Sequence, residues 1–194
     1  MPFNIPILLT WIRVALIPLM VGVFYLPDTW IPFNDKGLAS AVVFVVAAMT
    51  DWCDGYLARR WNETSAFGAF LDPVADKLMV AGALLVLVEF FQLNAVIAFI
   101  IIGREITISA LREWMAQIGA SKSVAVSSLG KIKTAAQMVA IPLVLLDRVL
   151  FGFLDTYIVG MVLLSVAAVL TVWSMLYYLR KAWPLIKEKG GNLL

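Results

Sequence analysis

The amino-acid sequence predicts an all-α, polytopic membrane protein of six spanning helices with both termini on the cytoplasmic side. Of its 194 residues, 62% are hydrophobic and only 14% charged, whereas soluble domains average about 45–50% apolar and about 25% charged. Six stretches approach the roughly 20 apolar residues that a spanning helix needs: 5–26, 37–60, 68–91, 93–117, 130–153 and 156–181. The basic residues supply the orientation. With both termini inside, only Lys36 and Arg148 of the 15 Lys and Arg fall outside, which is the bias that cytoplasmic loops carry.

Taken along the chain, the spans are defective in an informative way. The first is interrupted by Arg13 and Pro18; without a basic leader or a small-residue cleavage pattern, it does not read as a signal peptide. Pro27, Pro32, Asn34 and Gly37 mark the turn that follows. The second is apolar only from Leu38 to Met49 before Asp51 and Asp54, about 18 Å of helix against a hydrocarbon core of about 30 Å. The third carries Asp72, Asp76 and Lys77 ahead of its apolar run, Leu78 to Val88, and the fourth passes from Ala95–Ile102 into Gly103, Arg104 and Glu105. A Ser-rich stretch, 121–128, precedes Gly130-Lys131-Ile132-Lys133-Thr134 at the start of the fifth. The sixth, Tyr157 to Leu179, reads as apolar throughout. In antiparallel neighbours the polar ends meet at one level, so the cytoplasmic half of the bundle is expected to enclose a wet cavity. No repeat, low-complexity tract or linker divides residues 1–194, which read as a single domain.

The catalytic vocabulary is narrow. There is no histidine and a single cysteine, Cys53, which excludes Ser-His-Asp and Cys-His catalysis, His-ligated metals, disulfides and multi-cysteine sites. A net charge of +2 is too balanced for a nucleic-acid binder that neutralises phosphates. Trp52 and Cys53 read as packing residues. Tyr25, Trp30, Trp52, Trp61 and Trp183 suit the aromatic belts of a membrane interface.

Carboxylates carry the signal. Asp51, Asp54, Gly55 and Ala58 recur at i, i+3, i+4 and i+7, and Gly68, Asp72 and Asp76 at i, i+4 and i+8. Each set shares one helical face. An aspartate near mid-membrane costs roughly 2.5–3.5 kcal/mol on insertion scales, so four of them need compensation. Two divalent cations would supply it, and oxygen-only donors suit Mg²⁺, Mn²⁺ or Ca²⁺ over zinc or copper. Small residues on the same faces leave room for a phosphate-bearing group, and Mg²⁺ commonly binds through few carboxylates plus substrate phosphates. The bland alternative is pairing with Arg59, Arg60 and Lys77 for packing alone.

The eight positions Asp51-x₂-Asp54-Gly55-x₂-Ala58-Arg59-x₈-Gly68-x₃-Asp72-x₃-Asp76 resemble the complete signature of the CDP-alcohol phosphotransferase family. The resemblance implies a six-helix bundle, usually a homodimer, with an active site open to the cytoplasm. It implies that Asp51, Asp54 and Asp72 ligate metal and that two ions, Mg²⁺ or Mn²⁺, are held. Asp76 is implied as the general base and also as a ligand of the second metal, two roles that compete, because full ligation weakens a base. Gly55, Ala58 and Gly68 would line the CDP site and Arg59 would support the nucleotide or its phosphates.

Farther on, Arg104 and Arg112 stack along one face of the fourth span, and Lys131 and Lys133 open the fifth. Converging cations suit an anionic acceptor, since arginine clamps phosphate in a bidentate way. Lys122 and the tail residues Arg180, Lys181, Lys187 and Lys189 read as positive-inside anchors instead. The stretches Gly103-Arg104-Glu105-Ile106, Ala110–Trp114, Val124–Ser127 and Gly130-Lys131-x-Lys133-Thr134-x-x-Gln137-Met138, with the opening Asn4-Ile5-Pro6 to Thr10 and Arg13, resemble bacterial members of that family. Those members join CDP-diacylglycerol to glycerol 3-phosphate, which implies an inner-membrane enzyme of phospholipid biosynthesis releasing CMP. Arg104, Arg112, Lys131 and Lys133 are assigned to the acceptor phosphate from charge and position. Asn4, Pro6, Thr10 and Arg13 are assigned to the nucleotide end, with capping or hydration as the open alternative. The rivals are an inositol-phosphate or serine transferase of the same family, an intramembrane prenyltransferase and a cation transporter. A prenyltransferase would repeat its Asp-rich motif in two halves, and a transporter would place acidic residues at several depths.

Overall fold

The structure, a computed structural model, describes the backbone of residues 5–61, 66–119 and 128–190; the side chains of 5–7, 54–59, 61, 66–67, 69, 128–132, 185–186 and 188–190 lie outside what it describes. The chain is mostly helical. In order come α1 (Ile5–Gly22) with a 3₁₀ turn (Val23–Tyr25), α2 (Phe33–Trp61), α3 (Ala66–Phe90), α4 (Ala95–Gln117), α5 (Ser128–Leu146), the short strands β1 (Val149–Leu150) and β2 (Leu154–Asp155), and α6 (Thr156–Gly190). Among the described residues, three helices hold a segment long and apolar enough to cross a membrane: Leu8–Tyr25, Phe33–Cys53 and Thr156–Pro184. The apolar part of α5, Lys133–Leu146, is shorter, and α3 and α4 carry their charged residues within the helix.

The boundaries depart from the sequence expectation at three places. The second helix starts at Phe33, so Asn34 and Gly37, expected in the turn, lie inside it. Instead of running to 153, α5 stops at Leu146, because Asp147 takes a left-handed conformation (φ 42°) that no helix propagates. An antiparallel hairpin follows, pairing Val149 with Asp155 and Leu150 with Leu154, and it turns through Phe151 (φ 56°) and Gly152 (φ 78°). Apolar Val149, Leu150 and Phe151 hid this break from a hydropathy reading. Conversely, α6 continues past 181, through Pro184, to Gly190.

The end of the bundle remote from the motif carboxylates is tied together by rings and polar contacts. Phe24, Phe33, Phe90 and Phe91 form an aromatic cluster with ring centroids 5.0–6.4 Å apart. Beside it the buried Lys36 donates to Phe24 O (3.3 Å), Leu26 O (2.6 Å) and Asp28 Oδ1 (2.6 Å), which pins the α1–α2 connection. Arg148 pairs with Asp35 at 2.8 Å, fastening the hairpin to the start of α2. Tyr157 donates to Phe91 O at 3.0 Å. Below this cap, Phe44, Ala83, Leu84, Leu87, Ile101, Ile141, Val144 and Leu164 form the core. Val42, Leu85, Phe99 and Val169 are exposed, as side chains facing hydrocarbon would be.

Two glycines set how closely α5 is approached. A Cβ on Gly37 would lie 2.3 Å from Leu145 O, and one on Gly160 would lie 2.5 Å from Val144 Cγ2 and 2.9 Å from Ala140 O. Such close backbone approach is what small residues permit between membrane helices. Gly160→Ala is expected to cost about 1–3 kcal/mol through overpacking, read as a lower thermal midpoint in detergent. Gly103→Ala, where nothing lies within 4 Å of the new Cβ, should not lower it. An unchanged midpoint in Gly160→Ala would show that α5 and α6 can separate without penalty.

Candidate active site

The helical periods expected of the aspartates are realised: α2 is continuous through 51–58 and α3 through 68–76. Asp51, Gly68, Asp72 and Asp76 are all half-buried. The side chains of Asp54, Gly55, Ala58, Arg59 and Lys131 lie outside the described residues, as does Asn4; so does the side chain of Pro6.

The first helix links the two acidic faces. Thr10 donates to Asp72 Oδ1 at 2.8 Å, and Arg13 Nη1 lies 2.6 Å from Asp51 Oδ1. Both α1 side chains are buried, Arg13 completely. They stand at i and i+3, so one helical face reaches a carboxylate on α2 and another on α3. Thr10 was expected at the nucleotide end on sequence alone, and the structure puts its hydroxyl against a carboxylate of the motif. Arg13, the charge that interrupts the first span, is accommodated by that ion pair. Asp76 is within electrostatic range of Asp51, Glu105, Arg13 and Lys77.

A basic group adjoins the acidic one. Lys77, next to Asp76, donates to Ser109 of α4. Glu105 of α4 accepts from Lys133 of α5 and pairs with Arg104 at 3.3 Å. Arg104 and Lys133 are buried, and each feels the charge of Arg112. Arg104 and Lys133 therefore share the carboxylate of Glu105, while Arg112 acts on both through its charge. Arg104 Nη2 donates to Ser174 Oγ on α6 at 3.1 Å, and the Arg112 guanidinium lies 5.6 Å from the ring centre of Tyr178. Sequence reasoning placed Arg104, Arg112 and Lys133 here but missed Ser174 and Tyr178. The signal was available: Thr171, Ser174 and Tyr178 recur at i, i+3 and i+7, but hydroxyls in an apolar run barely alter its hydropathy. Trp52, expected to pack, is exposed instead.

The donor set fits a hard divalent ion. Asp51, Asp72 and Asp76 offer only oxygen, and both α1 contacts use a single carboxylate oxygen, Oδ1. Among those residues no three acidic side chains form a cluster that could hold an ion; Asp54, the fourth carboxylate of the motif, is outside them.

Known proteins resemble this chain over nearly all its length. The CDP-alcohol phosphatidyltransferase family model matches residues 3–173. The CDP-diacylglycerol–glycerol-3-phosphate 3-phosphatidyltransferases of Escherichia coli (strain K12) and Shigella flexneri serotype 5b (strain 8401) are each 55% identical over 184 residues, covering 94% of this chain and 96% of theirs. With the acidic signature intact and the match spanning all but the ends, this chain belongs to the CDP-alcohol phosphatidyltransferase family.

Proposed function

We propose that the protein transfers the phosphatidyl group of CDP-diacylglycerol to glycerol 3-phosphate, releasing CMP, as the names of its 55%-identical relatives describe for them. The observation that carries the reading is the junction of two opposite charge clusters. Asp76 feels the charges of Asp51, Lys77 and Glu105, and Glu105 in turn binds Arg104 and Lys133, which feel the charge of Arg112. The acidic group suits a metal-bound diphosphate, and the basic group suits an acceptor that carries its own phosphate.

In this reading a primary hydroxyl of glycerol 3-phosphate attacks the phosphorus attached to diacylglycerol. The new P–O bond forms as the bond to CMP breaks, and the hydroxyl proton passes to the Asp76 carboxylate. Asp51, Asp54 and Asp72, with Asp76 at their edge, would hold Mg²⁺ or Mn²⁺, two ions by the carboxylate count. When bound, these supply charge stabilisation for the departing CMP. Thr10 and Arg13 orient Asp72 and Asp51. Gly55, Ala58 and Gly68 leave room for the CDP moiety, and Arg59 meets its phosphates. Arg104, Arg112, Lys131 and Lys133 bind the acceptor phosphate and hold the hydroxyl in line.

The same proposal includes a single domain of six spans in a bacterial inner membrane, termini and site toward the cytoplasm, working as a homodimer. The purified protein with CDP-diacylglycerol, divalent metal and each acceptor tests the chemistry. CMP release is expected with glycerol 3-phosphate and not with inositol phosphate or serine. Absence of turnover with glycerol 3-phosphate would sink it.

A further inference from the structure

The buried stripe of α6 changes character along its length. Gly160, Leu164 and Ala167 are buried and apolar or small; Thr171, Ser174 and Tyr178, continuing the same face, are equally buried but polar. The change falls where α6 meets Arg104 and Arg112. Polar groups in a membrane interior need partners, and these have specific ones. Ser174 spends its own proton on Thr171 O at 3.0 Å, so its oxygen lone pairs face Arg104 as an acceptor. Tyr178 offers its ring to Arg112 within cation–π range. A guanidinium held over a ring by its charge leaves its N–H donors available to an anion. The Nε atoms of Arg104 and Arg112 are buried without a hydrogen-bond partner among the described residues, as is Thr171 Oγ1.

We propose that Ser174 and Tyr178 are positioning residues for the acceptor: they hold Arg104 and Arg112 with in-plane donors aimed at the acceptor's phosphate. This rests on the reading above that these arginines bind that phosphate. A flexible arginine loses rotamer freedom when it clamps an anion; α6 fixes both side chains beforehand, so the loss falls on folding and not on binding.

The test is a comparison of Michaelis constants in detergent-solubilised full-length protein. Ser174→Ala and Tyr178→Leu should each raise the KM for glycerol 3-phosphate about ten-fold, the effect of losing a charge-assisted contact. The KM for CDP-diacylglycerol and the thermal midpoint should hold. Ser174→Thr keeps the accepting oxygen and Tyr178→Phe keeps the ring, so both should restore the acceptor KM. An unchanged acceptor KM in Ser174→Ala and Tyr178→Leu overturns the inference. So does an equal rise in both KM values or a lowered midpoint, which would mark α6 as packing only. If wild type uses another phosphate-bearing acceptor, the same comparison with that acceptor decides, and the named acceptor alone is wrong. If wild type uses only an acceptor without phosphate, both readings fall.

Discussion

Asp76→Asn is expected to abolish turnover while leaving substantial CDP-diacylglycerol binding, whereas Asp51→Asn should weaken both. Asparagine keeps the shape and one oxygen of Asp76 but cannot take a proton from the attacking hydroxyl. General-base contributions are typically about 10²–10⁴-fold, so a loss of at least about a thousand-fold is anticipated once any weakening of metal affinity is added. Asp51 sits differently. It is joined to the buried Arg13 at 2.6 Å, and it shares the acidic neighbourhood of Asp76. Replacing it removes a proposed metal donor and also the charge opposing Arg13, which is expected to disturb binding as well as chemistry. Single-turnover CMP release and equilibrium binding of CDP-diacylglycerol, measured on both variants with Mg²⁺ or Mn²⁺, separate the two roles. Equal loss of binding in the two would count against the division.

The legible part of this protein is the part that obeys a helical period with charged residues. Asp51 and Asp72 could be placed on facing elements because i+3, i+4 and i+7 spacings survive any reasonable helix boundary. Arg104 and Arg112 were legible for the same reason. What joins them was not. That Thr10 reaches Asp72 and Arg13 reaches Asp51 depends on α1 packing against both α2 and α3, a tertiary fact with no local pattern. The polar half of α6 was missed for a subtler reason: serine, threonine and tyrosine change average hydropathy little, and only the burial of one face separates them from lipid-facing neighbours such as Trp173. The end of α5 was misjudged because a left-handed Asp147 leaves no mark beyond an Asp-Arg pair in an apolar run. Charge identified the site, and packing decides how its residues are held.

That distinction bears on Arg112, whose replacement should separate acceptor recognition from donor recognition. Arg104 and Lys133 are both tied to Glu105, so their charge is already shared with a carboxylate. Arg112 is half-buried, lies over the Tyr178 ring within cation–π range and sits in the same field without that pairing. Its guanidinium is therefore the cation of the three with the most to gain from an arriving phosphate. Arg112→Ala should raise the KM for glycerol 3-phosphate by about ten- to a hundred-fold, corresponding to about 1.5–3 kcal/mol for hydrogen bonds to a charged group. The KM for CDP-diacylglycerol should change far less, because the proposed site of that substrate is on the acidic faces of α2 and α3. Arg112→Lys should recover only part of the loss: the ammonium restores charge but neither the planar fork nor the guanidinium's contact with the Tyr178 ring. Steady-state kinetics with each substrate varied in turn give the answer, and an acceptor KM unmoved by Arg112→Ala would remove this side chain from the acceptor site.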